Sequence, residues 1–552
     1  MAKASKPSFN VADDPWIQVT MRDGTFREVS LRFVLKNSQD VASIGGDIPQ
    51  QAVAIVRLLL AVMYRSYGLA YESDMSHIQL MSLWNQVWEE GMLDSEIIDD
   101  YLDEFHDRFD LFGEKPFMQV AWLEYASRDK EFDPISELIA DVPKPEKFLF
   151  SMRSKVAPGV ISFAESVRWL VFYCCYDFAG IKTPVKGNTK AKGGRVYAPK
   201  GLPGVGWMGS IGSVVVEGSS LFRTLMLNWS MFDERTSSGC LFGIEDDLPS
   251  WERDDIYPDS SEYSPVGPAS LFTVLDRRMR LIPDESGSGV RGFIGCYGDI
   301  VRPTEASSFE TMTAWRESEQ QKKKLGLAVA PLMPVAHDCS KALWRGLGPL
   351  LVSTSGSNRK DLRPSVIWWF GRLRDEGVCD LPTVLRIHAQ GIEYGSQSSV
   401  ITNAYDDVVE IGNALMNGDQ VAVSYAVETI SKIDEGVSLL VTLSKRLQAA
   451  SGNKCDGDPL KRASADVRER AYLALGDLSR ECLREFTAGC DANAYCLEWR
   501  NEAKAILVRL GRQCEMESET PRFDLQRGPS AAEAWSMFSA GLGKVFGTVK
   551  DK

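Results

Sequence analysis

Histidine is nearly missing from this 552-residue chain, which has only His77, His106, His337 and His388. Multi-imidazole metal centres and histidine proton relays therefore have little to build from. His337 and Asp338 form the dipeptide seen in metal-dependent phosphohydrolases, but no further ligands stand near them at helical spacing, so chance adjacency is the better account and no metal is expected. Cysteine is sparse as well: 11 residues and no CxxC pair, the closest being Cys174 and Cys175 inside the apolar run "WLVFYCCYDF". That is buried-thiol usage, suited to a reducing compartment and not to a disulfide framework. Unbroken apolar runs are absent too. The longest, "AVAIVRLLLAVMY", is interrupted by Arg57 and bounded by Arg65, and the N-terminus "MAKASKPSFN" lacks the apolar segment of a signal peptide. A cytoplasmic chain with no membrane partner is expected.

Positive charge is in deficit, with 62 Lys and Arg against 76 Asp and Glu and a formal net charge of -14. This argues against sequence-blind coating of nucleic acid, because that attraction scales with clustered cations. One local basic site remains open to it. Residues 182–212, "KTPVKGNTKAKGGRVYAPKGLPGVGWMGSIG", hold Lys182, Lys186, Lys190, Lys192, Arg195 and Lys200, with eight Gly and no acidic residue before Glu217. A backbone this rich in glycine approaches a phosphate closely, and these cations favour an exposed loop, since burying them unpaired is costly. An exposed loop without a ligand is the competing reading.

The length calls for two or three domains. "PWIQVTM" and "FREVSL" flank Asp23-Gly24, a favoured two-residue hairpin turn. Helical spacing marks 49–68 and two segments within 76–109, the second carrying Asp99, Asp100, Asp103, Glu104 and Asp107, a pattern typical of a solvated face or partner surface. Mixed, irregular text then runs to about 400. Beyond it, Val423, Ala426, Ile430, Ile433, Val437, Leu440 and Leu447 keep three-to-four spacing, followed by Val467 to Phe486 and Tyr495 to Leu510. "NAYDDVVEIGNALMN" and "SAAEAWSMFSAGLGKVF" flank these as further helices. The expected fold is α+β: an irregular mixed α/β domain over 1–402, then an all-α four-helix bundle over 403–552.

Gly204-Val205-Gly206-Trp207-Met208-Gly209 matches the dinucleotide pattern GxGxxG, which keeps a nucleotide-binding enzyme among the alternatives. The pattern needs a strand before it and a helix after it, and here a Pro-Gly segment precedes and the β-like "SIGSVVV" follows. No Ser or Cys sits in a recognisable nucleophile motif.

In order along the chain, "DDPWIQV", "GEKPFMQV", "GSSLFRTLMLNW", "YGSQSS" and the terminal helices resemble the CasA family, the large subunit of the type I-E CRISPR surveillance complex Cascade. The resemblance covers nearly the whole chain. It implies a large α/β domain and a C-terminal four-helix bundle, and a non-catalytic subunit that needs no cofactor. The implied role is to read the protospacer-adjacent motif in double-stranded DNA from the minor groove, open the duplex so that guide RNA invades, and help recruit a helicase-nuclease. The implied partners are guide RNA, target duplex, the backbone and small Cascade subunits, and that nuclease. By the same resemblance Gln397, flanked by Ser396 and Ser398, is the strand wedge. Lys200, Gly201 and Gly204 form the minor-groove glycine loop, and Lys182, Lys186, Lys190, Lys192 and Arg195 add phosphate contacts. A guide-RNA loop falls on "FSMRSKVAPG", with Phe150, Arg153 and Lys155. Where relatives carry a lysine finger this chain has Tyr297, with Arg291 or Arg302 as substitutes, and Cys296 stands alone where some relatives have a zinc-binding cluster. A protein scaffold without DNA reading is the remaining alternative.

Overall fold

The computed structural model describes residues 7–71, 74–141, 158–236, 239–254, 257–353, 361–416, 419–450, 458–518 and 530–547. The chain divides into two compact units, one of Met1–Ser340, Thr354–Leu381 and Arg386–Val408, the other of Lys341–Ser353, Pro382–Leu385 and Val409–Lys552.

The first unit opens with the expected hairpin, strands Ile17–Met21 and Phe26–Val29, with Val41–Ile44 paired on the other side of the first. Its turn is one residue longer than the Asp-Gly reading: Gly24 N–H donates to Met21 O and Met21 N–H to Thr25 O, so three residues close it. Only Gly24 takes positive φ, 84°, which is the type I turn with a glycine bulge and not the two-residue form.

The helix Pro49–Ala70 starts on Pro and runs through the centre of this unit. It packs on Phe163–Tyr176 and Pro268–Phe272. By length and composition it is apolar enough to cross a membrane, yet 83% of that apolar window is buried inside the protein. Each of Ile55, Leu59, Leu60 and Val62 is fully covered and contributes about 1.5–3 kcal/mol of burial energy. The two arginines that interrupt the run are both matched. Arg57 makes two 2.8 Å bonds to Glu310, and Arg65 grips Glu252 at 3.0 and 2.7 Å. Two small antiparallel sheets complete the frame. In one, Val290–Tyr297 lies between Asp133–Pro134 and Arg277–Pro283; in the other, Val384–Tyr394 lies between Ile401–Gly412 and Ser213–Glu217.

"NAYDDVVEIGNALMN" is not helical. It forms most of the strand Ile401–Gly412 and the short turn Asn413–Leu415, and the division near 402 expected from sequence falls inside that strand. Tyr405, Val409 and Ile411 are buried at even spacing, the two-residue period of a half-covered strand.

The second unit holds the helices Gln420–Ala450, Asp458–Glu485, Ala492–Glu517 and Ala531–Phe546. All seven apolar positions named for the first of them are buried. In the next two helices Val467, Ala471, Leu475, Phe486, Trp499 and Ala503 are buried as their spacing predicts, while Leu478, Cys482 and Ile506 are only half-buried and the neighbouring Ser479, Leu483 and Leu507 are buried instead.

Candidate nucleic-acid interface

The strands Val384–Tyr394 and Ile401–Gly412 form a hairpin whose tip is Gly395–Val400. Gly395 N–H donates to Val400 O and Ser398 N–H to Gly395 O, both at 2.9 Å, closing a tight turn. Within it Gln397 and Ser398 hold φ of 56° and 53°, left-handed values that cost a residue with a Cβ about 1–2 kcal/mol each. Strain of this kind persists where surrounding contacts fix it. One such contact is plain: Ala179 N–H donates to Ser398 O at 2.7 Å, while Ser396 and Gln397 stay exposed.

The hairpin is braced along its length. Tyr394 Oη donates to Tyr176 O at 2.6 Å. His388 sits between two carboxylates, Nδ1 2.7 Å from Glu217 Oε1 and Nε2 2.7 Å from Asp406 Oδ1. Burial opposes charge on this imidazole, but the hydrogen bonds to Asp406 and Glu217 outweigh it and push the pKa up to about 9. His388 is thus a cation at neutral pH, donating from both nitrogens.

The glycine loop lies against the same anchor. Lys200 and Gly201 are exposed, Gly201 with φ of 92° and open space where a side chain would project. Gly204 is packed: a Cβ there would lie 2.7 Å from the Ala179 Cβ. Ala179 therefore meets both segments to which the resemblance gives a DNA role, one through its amide and one through its methyl.

The basic island keeps fewer free cations than its sequence offers. Lys182 is turned inward, its side chain 10% exposed and its Nζ 2.6 Å from Asp177, so it is removed from the phosphate set. A buried carboxylate needs that partner. Lys186 pairs with Glu124, and Lys190 donates to the Ser260 carbonyl. Lys192, Arg195 and Lys200 are exposed and have no carboxylate partner among the described residues. Tyr197, 52% exposed, stands among them and was not singled out from sequence.

None of the three finger substitutes projects freely. Tyr297 is 1% exposed because its register opposite Arg277 points it inward. Its hydroxyl donates to Gly180 O at 2.8 Å and accepts from Gly180 N–H at 3.2 Å. Arg291 pairs with Glu285 and lies over the Phe132 ring, while Arg302 pairs with Glu262 and Glu305. Phe150, Arg153 and Lys155 lie outside the described residues.

The GxGxxG segment is a packing element. Trp207 N–H donates to Asp276 Oδ2 at 2.6 Å and its indole donates to Glu310 Oε2 at 2.7 Å. A Cβ on Gly206 would lie 2.4 Å from Cys175 O, and one on Gly209 2.3 Å from Tyr394 Oη. A turn precedes the segment, the 3₁₀ turn Trp207–Ser210 lies within its second half and the strand Ser213–Glu217 follows, so the strand-loop-helix of a dinucleotide site is missing here. His337 is likewise structural, its Nε2 2.9 Å from Ser213 O and its ring stacked on Tyr405. Among the described residues no group of three or more His, Cys, Asp or Glu is arranged to hold a metal ion. The acidic helix is partly neutralised, with Asp99 and Asp103 meeting Arg32, and Asp99 also Lys36.

Sequence reasoning missed Ala179 and Arg277. The one signal for Arg277 is the run "DRRMR" inside a β-like stretch, which forces cations onto both faces of a strand.

The family model described as CRISPR-associated protein Cse1 matches residues 10–510. The crystal structure of Thermobifida fusca Cse1 has a TM-score of 0.84 at 32% identity, covering 98% of each chain. That of Cse1 from Acidimicrobium ferrooxidans gives 0.79 at 25%, again over 98% of each. CasA/Cse1 of Thermus thermophilus is 27% identical over 382 residues, which is 68% of this chain and 66% of that protein, just under two thirds of its length.

Proposed function

The chain belongs to the Cse1 (CasA) family, the large subunit of type I-E Cascade, and from that premise we propose that it is the non-catalytic subunit that finds the protospacer-adjacent motif and starts strand opening. In this reading it assembles with guide RNA and the backbone and small subunits. The loop carrying Phe150, Arg153 and Lys155 is the RNA contact. It then presents the opened DNA to a recruited helicase-nuclease.

The observation that carries the reading is the meeting of wedge and glycine loop on Ala179, whose N–H donates to Ser398 O at 2.7 Å and whose methyl would lie 2.7 Å from a Cβ on Gly204. A duplex lying across Lys200–Gly204 meets backbone able to enter the minor groove, where A·T and T·A look alike and the guanine amino group marks G·C. Lys192 and Arg195 hold phosphates beside it. The Gln397 turn is then adjacent to the first base pair. Unstacking one step costs a few kcal/mol, which neighbouring contacts must offset. An amide, with two donors and an acceptor, replaces hydrogen bonds that the separated bases lose. With Tyr297 buried, the reading rests on loop and wedge and not on a finger.

Gln397→Ala tests it. In the reconstituted complex, permanganate reactivity of thymines beside the motif should fall at least ten-fold, roughly 1.4 kcal/mol, while initial duplex capture stays near wild type. Equal loss at both stages would show that Gln397 is not the wedge.

A further inference from the structure

Beneath the Ala179 junction lies a buried arginine that no part of the proposed DNA contact uses. Arg277 is 0% exposed and spends its guanidinium on the two segments that meet there. Its Nε donates to Asp177 Oδ2 at 2.5 Å, and its Nη2 donates to Gly204 O at 2.7 Å and Asp177 O at 3.3 Å. Nη1 donates to Asp276 O at 3.0 Å, and the cation lies 4.7 Å from the centre of the Tyr297 ring. Asp177 O also accepts from Gly206 N–H at 2.9 Å, tying the glycine segment to the same point. Two residues on, Ala179 carries the wedge turn, and Gly180 is held on both sides by the Tyr297 hydroxyl.

The arrangement fixes a distance. On one side Arg277 holds Gly204 toward Asp177; on the other the Ala179 methyl, 2.7 Å from where a Gly204 Cβ would stand, leaves no room for a side chain between the segments. We propose that Arg277 is a positioning residue for strand opening, setting the spacing between the glycine loop and the wedge turn. A guanidinium suits the task because its rigid planar fork presents donors in fixed directions to a carboxylate and several carbonyls, where a lysine ammonium is one rotatable point charge on a flexible stem. The inference rests on the DNA-opening reading above.

The test uses the full complex with guide RNA on two substrates, a matched duplex and the same duplex already unpaired beside the motif. Arg277→Lys should slow opening of the closed duplex about ten-fold, the size of one missing charge-assisted hydrogen bond, and leave engagement of the pre-opened substrate within about two-fold. Gly204→Ala, which wedges the segments apart without touching Arg277, should give the same split. Adding Ala179→Gly should restore most of the loss, because the next neighbour of the new methyl is then 3.5 Å away.

Failed assembly with Arg277→Lys, or equal loss on both substrates, makes the arginine merely structural and overturns the proposal. So does a Gly204→Ala defect that Ala179→Gly fails to relieve. Gln397→Ala run in parallel separates the two readings: a defect there with none in Arg277→Lys sinks only this inference, and no defect in either sinks the opening role itself.

Discussion

Gln397 is exposed on a strained turn, and a strained turn needs a rigid base. His388 supplies part of it, joining the strand of Glu217 to that of Asp406 across the hairpin. The neighbouring Arg386 also meets Glu217, so removing the imidazolium leaves Glu217 with one cation and takes the cation away from Asp406. His388 has a folded pKa raised to about 9 from 6.5. Its stabilisation is therefore complete below about pH 6.5 and disappears as pH rises through about 9. Urea unfolding should show the wild-type chain losing on the order of 2 kcal/mol more than His388→Gln between those limits; parallel pH profiles would contradict the assignment. Gln397, between Ser396 and Ser398, was singled out only by the resemblance of "YGSQSS", since a polar turn residue carries no wedge signal of its own. Ala179 was not, because an alanine becomes important only through which backbone its amide meets.

At the scale of elements, the glycines of 204–209 illustrate how a motif misleads. Their spacing is that of a phosphate loop, but the close approaches they allow are to Cys175, Ala179 and Tyr394 of the same chain. Gly206→Ala should destabilise the protein by about 1–3 kcal/mol, the usual cost of forcing a methyl into packed surroundings, and adding nucleotide should not shift the melting temperature. A nucleotide-dependent shift in the wild-type chain would reopen the enzyme reading. The helices of the second unit were legible from their period over many turns. The strand Ile401–Gly412 was mistaken for one because Asp406, Asp407 and Glu410 mask its alternation, and only burial of Tyr405, Val409 and Ile411 reveals the two-residue period. The hairpin turn at Gly24 was right in place and one residue short in length, since the dipeptide does not by itself choose between neighbouring turn types.

For the whole molecule, a net charge of -14 sets the background against which a few exposed cations act. Sequence counted six in the basic island; folding turns Lys182 inward, pairs Lys186 with Glu124 and ties Lys190 to the Ser260 carbonyl, leaving Lys192, Arg195 and Lys200 exposed without a carboxylate partner among the described residues. Pairing between distant segments is invisible to composition. Replacing those three with alanine should lower the log-log salt slope of duplex binding by roughly 0.9 for each phosphate that is no longer neutralised, whereas Lys186→Ala should leave it nearly unchanged.

The central claim is that this subunit reads a short motif and opens DNA beside it. R-loop formation should be measured with the guide-RNA complex on matched duplexes carrying every adjacent trinucleotide, with the chain present and omitted. The account predicts opening only when the chain is present and only beside a subset of trinucleotides. Opening that is indifferent to both would contradict it and leave a scaffold that does not read DNA.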